Sequence, residues 1–149
     1  MFNKNILHLL TILEAIAKIK IYCKDIQDAE SLFEINDQLN FNAVINLLIA
    51  VGEESRKIDE DLRNKYPLIN WNEVIGLRNV LSHNYIGIDN AIIWDIIENY
   101  LNGLKSCCII ILGDLINTKE LKKNLTEILK NKYYSHINYL IEIINNKGS

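Results

Sequence analysis

The sequence predicts an all-α protein, an up-and-down bundle of four to five helices. Apolar residues recur every three or four positions along most of the chain, which is the spacing of an amphipathic helix. No stretch combines the alternation of a half-buried strand with turn residues at both ends. The abundant β-branched residues are isoleucines at helical spacing, so periodicity decides where propensity alone is ambiguous.

The first half of the chain contains two long predicted helices. Apolar positions from Ile6 to Ile21 follow one helical face over about four and a half turns. Residues 28–33 fit a short helix after it. Asn40 or Asn42 is a suitable cap for the second long helix, whose apolar positions continue as far as Leu62.

Three more starts and stops organise the second half. Pro67 breaks the chain, and Asn70 followed by Glu73 has the pattern of a capping box, which predicts a short helix through Leu81. Gly87 is expected to end that helix. Asp89 then caps a long amphipathic helix through Leu112, and a last helix is predicted over residues 118–144.

Length and composition are those of one soluble domain. A chain of 149 residues with 49% hydrophobic and 23% charged residues is expected to fold as a single domain over 1–149, with a core at about residues 4–113 and an extra C-terminal helix. The net charge of −3 means that any contact with RNA depends on a local patch.

The sequence also sets expectations about compartment and bound groups. The three cysteines, two of them adjacent and none in a C-x-x-C spacing, support neither a disulfide framework nor a zinc site. The longest apolar run, Cys107 to Leu112, is shorter than the ~20 residues that a membrane span needs. We therefore expect a cytoplasmic protein with no metal, no cofactor and no membrane contact.

One segment stands out chemically. Residues 76–85 place Arg78, His83 and Tyr85 together near a predicted helix end, in a chain with only three arginines. Five residues of helix turn by about 140°, so Arg78 and His83 converge only if the helix ends near Ser82.

An arginine beside a histidine suits cleavage of RNA without a metal ion. Arginine stabilises charge on the phosphoryl oxygens, and histidine takes or gives a proton near neutral pH. The attacking 2′-hydroxyl must lose a proton while the 5′-oxygen gains one. A symmetric dimer with two copies of His83 across its axis would supply both functions, which predicts a site at a dimer interface.

This segment resembles the R-x4-H-x-Y signature of HepT-like proteins, a toxin ribonuclease branch of the HEPN superfamily. Surrounding features look similar as well, over about residues 4–113. They are Gly52-Glu53, the P-x-x-x-W spacing from Pro67 to Trp71, Gly76-Leu77 before the arginine, and Asp89 with Trp94 after the motif.

The resemblance implies an all-α HEPN fold and a homodimer that cleaves RNA without metal. It implies that Arg78 and His83 are catalytic and that Asn79 helps to orient the site. It also implies a partner, a minimal nucleotidyltransferase of the MntA type, which acts as antitoxin by transferring AMP to Tyr85. An AMP group there would add bulk and negative charge where an RNA phosphate must enter.

Simpler interpretations of the same residues stay open. Arg78 could pair with a nearby carboxylate, Glu73 or Glu53, and His83 could cap a helix end. Glu53 could orient Arg78 or belong to a solvated carboxylate pair. Tyr85 could be an ordinary packing residue rather than a modification site.

The remaining polar features also have two interpretations. Five lysines against two glutamates give residues 119–132 a net charge of +3, which is typical of a solvated helix face but also suits RNA phosphates. His8 and His136 have no partner motif and are expected to be structural or exposed. The alternative function for the whole chain is a non-catalytic HEPN subunit that binds a nucleotidyltransferase and presents nucleotide or substrate to it.

Overall fold

The computed structural model describes residues 3–83 and 87–146, and these residues form helices with no strand among them. The all-α prediction is therefore confirmed. The helices are α1 (Lys4–Tyr22), α2 (Ala29–Glu34), α3 (Leu39–Lys57), α4 (Glu60–Asn64), α5 (Trp71–His83), α6 (Asn90–Asp95), α7 (Leu101–Leu115), α8 (Lys119–Leu129) and α9 (Leu140–Asn146).

The bundle is built around α1. This helix packs along α3 on one side and along α7 on the other, and α3 in turn packs along α5. Isoleucine and leucine side chains on most of the circumference of α1 are buried, which is expected of a helix at the centre of a bundle. The helix with Arg78, α5, therefore lies at the outside of the bundle and is held mainly by α3.

Three of the predicted helix starts rest on local chemistry and are confirmed. The side chain of Asp28 accepts a hydrogen bond from the Ser31 amide at the start of α2, and Asp89 accepts one from the Ala91 amide at the start of α6. Asn70 accepts from the Glu73 amide, so the predicted capping pair does begin α5. Each cap satisfies an amide that a helix leaves without an internal partner.

The second long helix differs from its prediction at both ends. It begins at Leu39, because Asn36, Asp37 and Gln38 form a left-handed turn with φ between 52° and 68° just before it. Asn40 does not cap the helix but donates to the carbonyl of Tyr22. The helix ends at Lys57, because Ile58 turns extended and becomes buried.

The prediction of one last helix over residues 118–144 is wrong. The chain forms α8, then a 3-10 turn over Lys132–Tyr134, and then the shorter α9. Between them, Ile137 is fully buried and the His136 amide donates to a carboxylate oxygen of Glu14 on α1. The chain between α8 and α9 is therefore not α-helical, because His136 and Ile137 contact the bundle instead.

From Asn90 to Leu115 the helix is continuous, with one π-helical turn over Ile96–Tyr100. By length and composition this run could cross a membrane, although its individual apolar stretches are short. One side of the run is buried in the bundle, at Ile93, Ile97, Leu101, Leu104, Cys107, Cys108, Ile111 and Leu112. The absence of a membrane contact stays a prediction.

The crossing of α3 and α5 depends on Gly52. A Cβ at this position would lie 2.9 Å from the carbonyl oxygen of Val74 and 3.1 Å from the amide nitrogen of Arg78, both backbone atoms of α5. Backbone cannot move aside as a flexible side chain can. A glycine here therefore sets how closely the helix with Arg78 approaches α3.

We expect Gly52→Ala to destabilise the fold by about 1–3 kcal/mol, the usual cost of overpacking. Gly76→Ala is the matched control, because nothing lies within 4 Å of a Cβ at this second helical glycine. The control should stabilise the protein by about 0.5–1 kcal/mol through the better helix propensity of alanine. Urea unfolding of the three proteins measures both changes, and equal effects would contradict the close approach.

Candidate functional site

Helix α5 is anchored at both ends and presents Arg78 between them. At its start the indole of Trp71 is buried and its Nε1 donates to the carbonyl of Tyr66 at 3.1 Å. Near its end Leu81 is 2% exposed. Arg78 and Asn79 face outward, since both are exposed. The two buried residues therefore anchor the backbone of α5 to the bundle, and the Arg78 side chain extends into solvent.

Glu53 forms an ion pair with Arg78. Its Oε2 lies 3.0 Å from Nε of Arg78, and its Oε1 accepts a hydrogen bond from Arg56 at 2.6 Å. The two alternatives for the arginine's carboxylate partner are thus resolved in favour of Glu53. The Arg78 side chain is still 54% exposed, so it remains open to a phosphate.

The same network favours the charged carboxylate. The hydrogen bond from Arg56 lowers the pKa of Glu53, and the positive charges of Arg56, Arg78 and Lys57 act in the same direction. A carboxyl with a lowered pKa stays ionised at neutral pH and loses its charge only below its ordinary range. Glu53 therefore stays negatively charged beside Arg78 at neutral pH.

A second pair next to the site fixes α1 to α3. His8 Nδ1 lies 2.6 Å from Oε2 of Glu54, and both side chains are about four-fifths buried. At the far end of the same crossing, Asn5 accepts from the Asp59 amide and donates to the Asp59 carboxylate. His8 therefore occupies a structural position, which agrees with the sequence expectation.

The other residues of the motif are only partly described. Helix α5 continues through His83, one residue beyond the expected end, so its backbone keeps Arg78 and His83 about 140° apart around the axis. The side chain of His83 and all of Tyr85 lie outside the described residues. Their convergence with Arg78 therefore stays a prediction.

An apolar groove of about 550 Å³ borders the site. Val74 and Leu77, on the α5 turn next to Arg78, form one wall of it, and Ile92, Ile96 and Tyr100 line another. Leu68 at its edge is 88% exposed, an unusual position for a leucine. Apolar side chains exposed together are typical of a surface that another molecule covers.

Sequence reasoning missed one buried carboxyl group. Glu14 is 1% exposed in the middle of α1, where its Oε1 accepts from the His136 amide and lies 2.9 Å from Nδ1 of the same histidine. His136 itself belongs to a turn and not to a polar helix. The only signal in the sequence is that Glu14 falls on the apolar side of α1, between Leu10 and Ala17.

The thiols and the acidic clusters offer little for catalysis. Burial raises the pKa of Cys23 to about 11 and raises that of Cys108 further, so neither is a ready nucleophile. Within residues 3–83 and 87–146, no group of three or more His, Cys, Asp or Glu residues is arranged to hold a metal ion.

A comparison with known families matches residues 12–111 to the family described as ribonuclease HepT-like. The matched range includes Glu53, Arg78, His83 and Tyr85 and ends before α8. No solved structure matches the chain.

Named relatives agree with this family. The chain is 39% identical over 94 residues to a Methanocaldococcus jannaschii protein named "Putative RNase", covering 63% of this chain and 84% of the relative. It is 32% identical over 97 residues to the "Probable ribonuclease HepT" of Thermococcus cleftensis, covering 58% and 88%. A longer Methanocaldococcus jannaschii protein, "Gamma-glutamylcyclotransferase and putative RNase", is 30% identical over 90% of this chain, which spans 58% of that relative.

Proposed function

Because the chain belongs to the HepT-like family of the HEPN superfamily, we propose that it is an endoribonuclease, the toxin of a cytoplasmic toxin–antitoxin pair, which cleaves RNA without a metal ion. The observation that carries the proposal is Arg78. Its side chain forms an ion pair with Glu53 yet is more than half exposed, five residues before His83 in the family motif.

The proposed reaction is an attack of the RNA 2′-oxygen on the neighbouring phosphorus. His83 of one protomer takes the 2′-hydroxyl proton, and the partner subunit's His83 gives a proton to the 5′-oxygen as the P–O5′ bond breaks. The products are a 2′,3′-cyclic phosphate and a free 5′-hydroxyl. Arg78 binds the phosphoryl oxygens while their negative charge increases, and Asn79 helps to orient the phosphate.

A homodimer completes this site, and the apolar groove beside α5 supports it. The groove and its exposed leucine and isoleucine give a surface that a second copy would cover. A two-fold axis near Arg78 would bring two motifs to one cleft. Such a dimer would also explain how side chains about 140° apart on one helix act on the same phosphate.

The proposed control acts at Tyr85. A nucleotidyltransferase partner would transfer AMP from ATP to the phenol oxygen, with release of pyrophosphate. The added phosphate brings negative charge to the cleft, and the adenosine blocks it sterically. Both effects oppose entry of an RNA phosphate, so the modified protein should be inactive.

The direct test is cleavage of a mixed RNA substrate in EDTA by protein whose intact mass shows no AMP. We expect cleavage with 2′,3′-cyclic phosphate ends, and a loss of about 10²–10⁴-fold in His83→Ala, the usual contribution of general acid–base catalysis. His8→Ala serves as a control histidine variant, because its ring pairs with Glu54 and His8 does not belong to the motif.

Three results would contradict the proposal. Equal cleavage by the unmodified protein and His83→Ala would point to a contaminating nuclease. Cleavage that requires a divalent ion would reject the metal-free mechanism. No cleavage by unmodified protein in any RNA would favour the non-catalytic subunit that binds a nucleotidyltransferase.

A further inference from the structure

The family match ends at residue 111, which leaves α8 without an assigned role. The helix is firmly built. Thr118 caps its first turn, and Leu125 and Leu129 are at most 2% exposed against the core. Since its apolar side is used by the fold, its opposite side is free to face solvent.

That opposite side is a stripe of lysines. Lys119 and Lys123 on α8 are exposed, and so is Lys130, the residue directly after its last turn. At about 100° per residue they fall within roughly 40° of one another around the axis, nearly opposite Leu121 and Leu125. With a rise of about 1.5 Å per residue, the stripe is about 16 Å long. We call these three residues the α8 lysine stripe.

Two of its charges have no carboxylate partner among the described residues. Lys130 forms an ion pair with Glu127 at 3.0 Å, whereas no ion pair involves Lys119 or Lys123 in ranges 3–83 and 87–146. The ammonium groups are therefore available to an external anion.

Positive charge is concentrated in one segment of the chain. The total is −3, and residues 119–132 carry +3, so the rest of the sequence carries −6. The net charge outside residues 119–132 disfavours a polyanion, whereas the net charge of residues 119–132 attracts one. Uneven charge of this kind is the electrostatic pattern of a local nucleic-acid contact.

The stripe is also held at a fixed place on the bundle. Asp114, at the end of α7, accepts a hydrogen bond of 2.5 Å from Tyr66 in the connection before α5. After α8, His136 is bound to the buried carboxylate of Glu14. Lysines on a fixed helix bind a strand of phosphates with a smaller loss of entropy than lysines on a loose tail.

We propose that the α8 lysine stripe binds the phosphate backbone of the RNA substrate outside the cleavage site. The proposal rests on the proposed ribonuclease function and adds a substrate contact to it. RNA is favoured over a lipid surface, because an amphipathic helix on a membrane needs a free apolar side and that of α8 is buried.

The test measures binding of a ~20-nucleotide single-stranded RNA to a His83→Ala protein, which does not consume the RNA. Adding Lys119→Glu and Lys123→Glu should weaken binding at least tenfold. The slope of log affinity against log salt should fall in magnitude by about 1.4, since each lost phosphate contact contributes about 0.7. Lys119→Arg with Lys123→Arg should retain the affinity.

The matched control is Lys24→Glu with Lys65→Glu, which changes the net charge equally at exposed positions outside α8. It should cost much less affinity. In a protein that retains His83, the two α8 changes should leave cleavage of a dinucleotide unchanged and slow cleavage of the long RNA, because only the long substrate reaches both places.

Each other outcome identifies what failed. Equal losses in the α8 and control variants would mean that net charge matters and the stripe does not. If RNA binds tightly and the α8 substitutions do not change the affinity, the proposal for the α8 lysine stripe is wrong and the proposed ribonuclease function still stands. Absence of both RNA binding and cleavage would overturn the two proposals together. Lysine-dependent binding to phosphatidylserine vesicles without RNA binding would assign α8 to a membrane surface.

Discussion

Arg78→Ala is expected to lower the rate of RNA cleavage by about 10²–10³-fold, the usual loss when one donor to a developing oxyanion is removed. The fold should survive, because the Arg78 side chain is 54% exposed and Glu53 keeps its hydrogen bond from Arg56 when Arg78 is removed. Initial rates on a dinucleotide, together with urea unfolding, measure the two effects separately.

Arg56→Ala is the matched control for this prediction. Arg56 donates to the same carboxylate as Arg78, but it belongs to α3 and lies outside the motif. Its removal should leave the rate nearly unchanged. A comparable loss in both variants would mean that the carboxylate network matters as a whole, and Arg78 would then have no direct role on the phosphate.

Arg78→Lys refines the same test. Lysine keeps the positive charge but lacks the planar fork that binds two phosphoryl oxygens at once. An intermediate rate is therefore expected. A rate equal to that of the unchanged protein would show that charge alone is needed at this position.

The sequence was most informative where structure depends on neighbouring residues. Asp28, Asn70 and Asp89 begin helices as predicted, because a helix cap is a bond between a side chain and an amide two or three residues later. The apolar spacing of α1 and of the run from Asn90 was equally readable. Such features need no knowledge of the remaining chain.

The failures occur where distant contacts override local preference. The last predicted helix is interrupted because the bundle buries Ile137 and because Glu14, more than a hundred residues earlier, binds the His136 amide. The second long helix stops at Lys57 because Ile58 is drawn into the core. Periodicity alone contains no signal for either contact.

The site could be predicted only in part, again because one of its contacts joins residues that are distant in the sequence. Arg78 stood out because arginine is rare in this chain, but its choice between Glu53 and Glu73 could not be made from spacing in the sequence alone. Glu73 lies five residues earlier on the same helix, about 140° around the axis from Arg78. Glu53 is close because Gly52 lets α3 approach α5, a contact between separate helices.

The second large effect is expected at the apolar groove. If two copies of the chain meet there, Ile92→Glu should separate them and abolish cleavage. Ile92 is 59% exposed and lines the groove, so the substitution costs the monomer little. In a symmetric dimer the change occurs twice, and the loss of two buried isoleucines, at about 2 kcal/mol each, weakens association by about a thousandfold.

Sedimentation velocity over a range of concentrations, with cleavage rates measured at the same concentrations, tests this directly. Leu39→Glu is the matched control, since Leu39 is 66% exposed at the start of α3 and does not line the groove. It should remain dimeric and active. If Ile92→Glu stays dimeric, the interface lies elsewhere. If it becomes monomeric yet cleaves at the full rate, one protomer supplies both proton transfers and the two-histidine mechanism fails.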